Sequence, residues 1–207
     1  QFDDLTYVHS VNVALIASIL GQWLKFSEKD IRILTISGLL HDIGKIMIPN
    51  EILTKPGKLT VAEYNIMKQH VNFGYEKVKN QNIDIRIKEA CLLHHEKCDG
   101  TGYPFGLKSD HIPAVAKIIA IADVYDAMTS ARVYRGALCP FEVIDTMYKD
   151  AFTKFEPEYI LPFLKNVASS YINNDVRLSD GRIGKVVLIN ENALSLPIVQ
   201  CEDEFID

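Results

Sequence analysis

Apolar positions recur at three- and four-residue steps through most of the chain, the period of α-helices that turn one face to a core. Val8, Val11, Leu15, Ile19 and Trp23 mark such a face on an early helix. Ser27 with Asp30 resembles a capping box with Asp in place of Glu, and Ile31, Leu34, Leu39 and Leu40 give the next helix its apolar side. Its end is predicted at His41-Asp42-Ile43-Gly44, since glycine commonly terminates helices. Pro49 to Gly57, with two prolines and a glycine, reads as an ordered loop. Thr60 with Glu63 is a full capping box, opening a helix that runs through His70 to about Lys79. A further helix is predicted from about Asp84 to Lys97. Asp99 to Gly106 then holds three glycines and a proline in eight residues, too many breakers for a regular element. Helices follow at about 113–130, 140–151 and 157–173.

The pattern changes in the last 35 residues. Val176–Leu178, Gly184–Ile189 and Leu196–Val199 are short β-branched runs separated by turn residues, which predicts a hairpin or meander. The expected fold class is therefore mainly α, a helical bundle over residues 1–172 with a small β extension over 173–207.

Composition narrows the classes that fit. A chain of 207 residues, 48% hydrophobic, suits one domain or one domain with a small appendage. No apolar run reaches the ~18 residues of a membrane span. Gln1 to Ser10 shows no signal-peptide pattern, and the four cysteines form no CxxC pair. Reduced thiols and a cytoplasmic location are expected. The net charge of −5 argues against a partner that is a nucleic-acid polymer. Residues 171–207 carry seven acids against three bases, while 1–170 carry 20 against 19, so the body is near neutral.

Five of the six histidines keep suggestive company. The intervals His9–His41, His41–His70, His70–His94 and His95–Asp123 are each about 24 to 32 residues. One antiparallel helix with its loop occupies that much chain, so each imidazole returns to the same level of a bundle, where facing helices build metal sites. Imidazole and carboxylate without thiolate suit Fe, Mn, Zn or Ni. Asp42 has two oxygens and could bridge two cations while His41 binds one; Lys45, one turn on, could hold a phosphate oxygen or cap the helix's last carbonyls. Asp123 could instead pair with Lys117 or Arg132, and Glu96 is expected to orient an imidazole. His111 lacks such company and reads as structural.

HDIGK at 41–45, His70 in KQHVNFGYE, HHEKCDGTGYP at 94–104 and IADVYDAMTSARVYR at 121–135 occur in that order, with HSVNVA at 9–14 and FEPEYILPFL at 155–164. Over about residues 5–170 the sequence resembles the HD-GYP subgroup of the HD-domain metal-dependent phosphohydrolases. The resemblance implies a helical HD fold and a cyclic di-GMP phosphodiesterase that yields pGpG or GMP through a metal-bridging hydroxide. It implies His9, His41, Asp42, His70, His94, His95 and Asp123 as metal ligands, with Asp42 bridging and Lys45 beside the centre. Gly102, Tyr103 and Pro104 would shape the substrate cleft, and Arg132 and Arg135 would contact phosphates. Some members have a third-metal glutamate where this chain has Leu5, so two divalent metals, Fe or Mn, are expected. Lys97 and Cys98 depart from the commoner Arg and larger apolar residue without removing a ligand. Another nucleotide substrate, such as cyclic GMP-AMP, and a non-catalytic cyclic di-GMP-binding module are the alternatives. A regulatory domain ahead of residue 1 is the expected partner by the same resemblance.

Overall fold

The structure is a computed structural model and describes residues 4–130, 138–202 and 204–206. Helices α1 (Asp4–Trp23) and α2 (Glu28–Leu40) form an antiparallel pair, followed by a 3-10 turn at Ile43–Met47 and the single-turn α3 (Asn50–Leu53). Then come α4 (Val61–Met67), α5 (His70–Val78), α6 (Ile85–Leu93), α7 (Ala114–Thr129), α8 (Pro140–Asp150) and α9 (Pro157–Ser169). Strands β1 (Asp175–Arg177), β2 (Ile183–Ile189), β3 (Pro197–Cys201) and β4 (Glu204–Ile206) make an antiparallel meander in chain order.

The predicted caps form. The Ser27 hydroxyl accepts the Asp30 backbone N–H at 3.2 Å. At Thr60 both halves of the box close, with Glu63 N–H donating to Thr60 Oγ1 at 3.3 Å and Thr60 N–H to Glu63 Oε2 at 2.7 Å.

Four elements differ from expectation. The helix predicted over 60–79 breaks at Lys68-Gln69, where the Met67 carbonyl accepts the His70 Nδ1 proton at 2.7 Å. The helix expected to reach Lys97 stops at Leu93, because His94 and His95 turn inward. The Pro49–Gly57 loop contains α3, and the sheet gains β4, a strand too short for sequence periodicity to register.

Most of the apolar stripe expected to bury α1 faces outward: Val8, Leu15 and Ile19 are 52%, 56% and 43% exposed, Val11 is half-buried and Trp23 alone of the five packs on the core beside Phe163, while Val13, Ala17 and Leu20 are fully buried. The helix is apolar on two sides, so period alone could not choose between them. Packing chose the side with small residues, since a Cβ on Gly38 of α2 would meet the Ala14 backbone at 2.5 Å. Leu15→Gln should therefore change stability by less than about 0.5 kcal/mol, whereas Leu20→Ala should cost about 2–5 kcal/mol. Urea unfolding of the two variants checks this.

Helix α7 is the central element, with Ile118, Ile119, Ile121 and Ala122 at or near zero exposure. The same buried cluster runs through Phe163 and Leu164 of α9 into Val186, Ile189 and Val199 of the sheet. Among the described residues, no helix is long and apolar enough to cross a membrane.

Candidate metal centre

Four of the five histidines enter from helix ends, and His9 from within a helix. His9 lies on α1, His41 caps the end of α2, His70 opens α5 at the break after α4, and His94 ends α6 with His95 beyond it. Asp42 follows His41 into the 3-10 turn, and Asp123 comes from α7. Gly44 makes this turn possible. It does not end the helix as expected, since α2 already stops at Leu40; its bare Cα lies where a Cβ would run into the His70 carbonyl and the Gly74 N–H.

These residues gather into two groups whose ligand atoms lie within 4.8 Å of one another: Asp42, His70, His94 and His95, and His9, His41 and Asp123. Asp42 stands between them. Its Oδ2 lies 3.2 Å from His41 Nε2 and 3.7 Å from His9 Nε2; its Oδ1 lies 3.3 Å from His70 Nε2 and 3.9 Å from His94 Nε2. One carboxylate thus presents one oxygen to each group. On the second group's far side, His9 Nε2 lies 3.0 Å from Asp123 Oδ1, and His95 Nδ1 is 3.8 Å from Asp123 Oδ2.

The ring orientations are set from behind. His41, His70 and His94 direct Nδ1 at the carbonyls of Gly38, Met67 and Ala90, at 2.7, 2.7 and 3.0 Å. An Nδ1 proton donated there leaves each Nε2 lone pair aimed into the centre. His70 Nε2 and His94 Nε2 then face each other at 3.4 Å, lone pair to lone pair, an arrangement that a cation between them stabilises. His41 Nε2 and Asp42 Oδ1 are buried without any hydrogen-bond partner, which buried polar atoms rarely are. The donor set fits divalent cations held by imidazole and carboxylate.

Electrostatics point the same way. Burial holds His94 well below the ordinary imidazole range and, against the charge of Asp123, brings His95 down to about 4, so both are neutral donors. Burial opposes ionisation of Asp42, yet the Lys45 charge, with the imidazoles around it, keeps its carboxyl well below the usual range. Asp123 is likewise held low by His9 against its burial. Burial also works against a charged His9, but the hydrogen bonds it donates to Asp123 and Asp126 outweigh it and push that imidazole up to about 9. A site holding a proton between two carboxylates is one that attracts positive charge.

Asp126 escaped the sequence reading. Its Oδ2 accepts His9 Nδ1 at 2.6 Å, and its Oδ1 accepts the Asn12 amide and the Ser130 hydroxyl, each at 2.9 Å. The signal was its place one turn after Asp123 on the same helix face. His9 is the imidazole oriented by a carboxylate rather than a carbonyl. Asp126→Ala should lower metal affinity about 10–100-fold, read by competition with a chelator of known strength.

Lys45 reaches the centre, with Nζ 2.5 Å from Asp42 Oδ2 and its side chain 23% exposed toward solvent. Asp123 does not pair with Lys117, which binds Glu156 at 2.6 Å. His111 pairs with Asp110 at the surface, outside the cluster. Glu96 orients no imidazole: its buried carboxylate accepts the backbone N–H groups of Phe105 and Leu107 at 2.7 and 2.9 Å and so fastens the 99–108 loop. Gly102 lies against the 95–97 backbone, where a Cβ would meet Glu96 Cα, the His95 carbonyl and the Lys97 N–H at 2.5 Å. That close approach lets the Tyr103 ring stack on His95, with centroids 4.7 Å apart and planes at 29°. Pro104 follows Tyr103 through a cis peptide bond. Arg132 and Arg135 lie outside the described residues.

A family model for the HD domain matches residues 4–159. The chain is 37% identical over 199 residues to the cyclic di-GMP phosphodiesterase PA4108 of Pseudomonas aeruginosa, covering 96% of this chain and 48% of that protein. It is 41% identical over 155 residues to the cyclic di-GMP phosphodiesterase response regulator RpfG of Xanthomonas campestris pv. campestris, covering 74% and 41%. Among solved structures, the HDG"Y"P protein Bd1817 from Bdellovibrio bacteriovorus superposes with a TM-score of 0.63 at 23% identity, over 76% of this chain and 50% of that one, a likeness of fold. The chain belongs to the HD-domain family. It spans about half or less of the length of the curated relatives named here.

Proposed function

We propose that this chain is a two-metal cyclic di-GMP phosphodiesterase. The observation that carries the reading is Asp42, whose two oxygens are divided between two imidazole–carboxylate groups. Both relatives described above are named as cyclic di-GMP phosphodiesterases, which supports the same substrate here. In this reading His9, His41, Asp42 and Asp123 hold one divalent cation, and Asp42, His70, His94 and His95 the other, with Fe or Mn the expected metal. Such a pair supplies positive charge against the phosphate oxygens and lowers the pKa of bound water.

The chain's own groups do the rest. The carbonyls of Gly38, Met67 and Ala90 take the Nδ1 protons, so it is the Nε2 atoms of His41, His70 and His94 that are presented as donors. Lys45, pinned to Asp42 and open to solvent on one side, offers its ammonium to a phosphate oxygen as negative charge grows there. Tyr103, fixed on His95, walls the cleft, with Gly102 and Pro104 shaping its loop. Arg132 and Arg135 contact the nucleotide's phosphates. Water adds to phosphorus, the 3′-oxygen leaves carrying a proton, and linear pGpG results.

Residues 1–172 form the catalytic unit in this proposal and 173–207 an extension. The protein acts in the cytoplasm, under a regulatory domain preceding residue 1. Metal-loaded chain incubated with cyclic di-GMP, cyclic GMP-AMP and linear guanine nucleotides should give pGpG or GMP from the first, separated by chromatography. Metal bound at full occupancy with no cyclic dinucleotide cleaved would sink the reading.

A further inference from the structure

Resting on that reading, we infer that Lys68 binds the phosphate of the cyclic dinucleotide that is not being cleaved. Lys68 occupies the break between α4 and α5, two residues ahead of His70, so the turn that places the imidazole also places the lysine. Its Nζ lies 5.3 Å from the centroid of the Tyr64 ring and 6.0 Å from that of Tyr103, the ring stacked on His95. The ammonium therefore sits at the rim of the cleft beside the Asp42–His70–His94–His95 group.

The partners of this lysine matter as much as its place. Lys45 is held by Asp42, Lys55 by Glu63 and Lys117 by Glu156. Lys68 has no carboxylate partner among the described residues; two tyrosine faces hold it instead. A ring face steers an ammonium without cancelling its charge as a carboxylate does, leaving it free to pair with an anion. A cyclic dinucleotide carries two phosphodiester anions on one rigid ring. The metal centre and Lys45 serve the one that reacts. The other arrives at a fixed separation, and Lys68 supplies a cation for it besides those the proposed function assigns to Arg132 and Arg135.

A contact to the non-reacting phosphate is the same in ground and transition states, so it lowers KM and leaves kcat alone. The test compares wild type, Lys68→Gln and Lys68→Arg on cyclic di-GMP and on bis(p-nitrophenyl) phosphate, a diester with one phosphate. Lys68→Gln should raise KM for cyclic di-GMP about tenfold or more, the worth of a charge-assisted hydrogen bond, with kcat within about twofold. Lys68→Arg should restore most of that KM, and all three proteins should cleave the one-phosphate diester alike with equal metal content. An unchanged KM for cyclic di-GMP in Lys68→Gln, or an equal loss on both substrates, overturns the role of Lys68 alone. Wild-type chain that cleaves the simple diester but not cyclic di-GMP overturns the functional reading and this inference with it.

Discussion

Asp42→Asn is expected to reduce cyclic di-GMP turnover by more than about 10³-fold, beyond the ~10²–10³ that one electrostatic donor contributes in an active site. The reason is that Asp42 belongs to both groups. Its Oδ2 faces His41, His9 and Lys45, and its Oδ1 faces His70 and His94, so an amide in its place leaves one group with an N–H where an oxygen lone pair was. The substitution also removes the negative charge that offsets two cations at 1% exposure. Metal content should fall together with rate, from about two ions per chain to less than one, measured by elemental analysis of protein reconstituted without oxygen. The shape of the side chain is kept, so circular dichroism should be unchanged, which separates loss of the centre from loss of the fold. Wild-type turnover by Asp42→Asn would falsify the shared-ligand reading.

Gly44→Ala should harm the same centre by a different route. A methyl at this position enters the space of the His70 carbonyl and the Gly74 N–H, both backbone atoms with no rotamer to yield. The 3-10 turn and α5 must then separate, and with them Asp42 and His70, whose contact is 3.3 Å. Overpacking of this kind costs about 1–3 kcal/mol of stability, and backbone against backbone belongs at the upper end. The expected result is a lower urea midpoint together with weakened metal binding, since about 1 Å of ligand displacement is enough to disable a preorganised site. Gly57→Ala is a useful control in one respect: a Cβ there meets nothing within 4 Å, so its strain is confined to its own positive φ.

Much of the site was legible because ligand chemistry is written in residue type and interval. The seven candidate ligands His9, His41, Asp42, His70, His94, His95 and Asp123 follow from the spacing of imidazoles and from the resemblance, and the fold brings all seven together. What surrounds them was less legible. Asp126 is not singled out by the sequence, because nothing local tells which carboxylate one turn along α7 will meet an imidazole from α1, 117 residues away. Glu96 stood beside two ligands and was expected to serve them, but its backbone turns it toward Phe105 and Leu107.

The sequence by itself determined the helical class, the caps at Ser27 and Thr60, the β extension and the set of imidazoles and carboxylates that the fold gathers. Each of these is a local property: a period, a capping pair, a run of β-branched residues or a donor type at a recurring interval. Tertiary structure alone decided which face of α1 is buried, where the 60–79 helix breaks, and how the oxygens of Asp42 are divided. Those outcomes depend on what arrives from elsewhere in the chain. Ala14 must clear Gly38 before α1 can choose a face, and Gly44 must clear His70 before one carboxylate can stand between two groups of imidazoles.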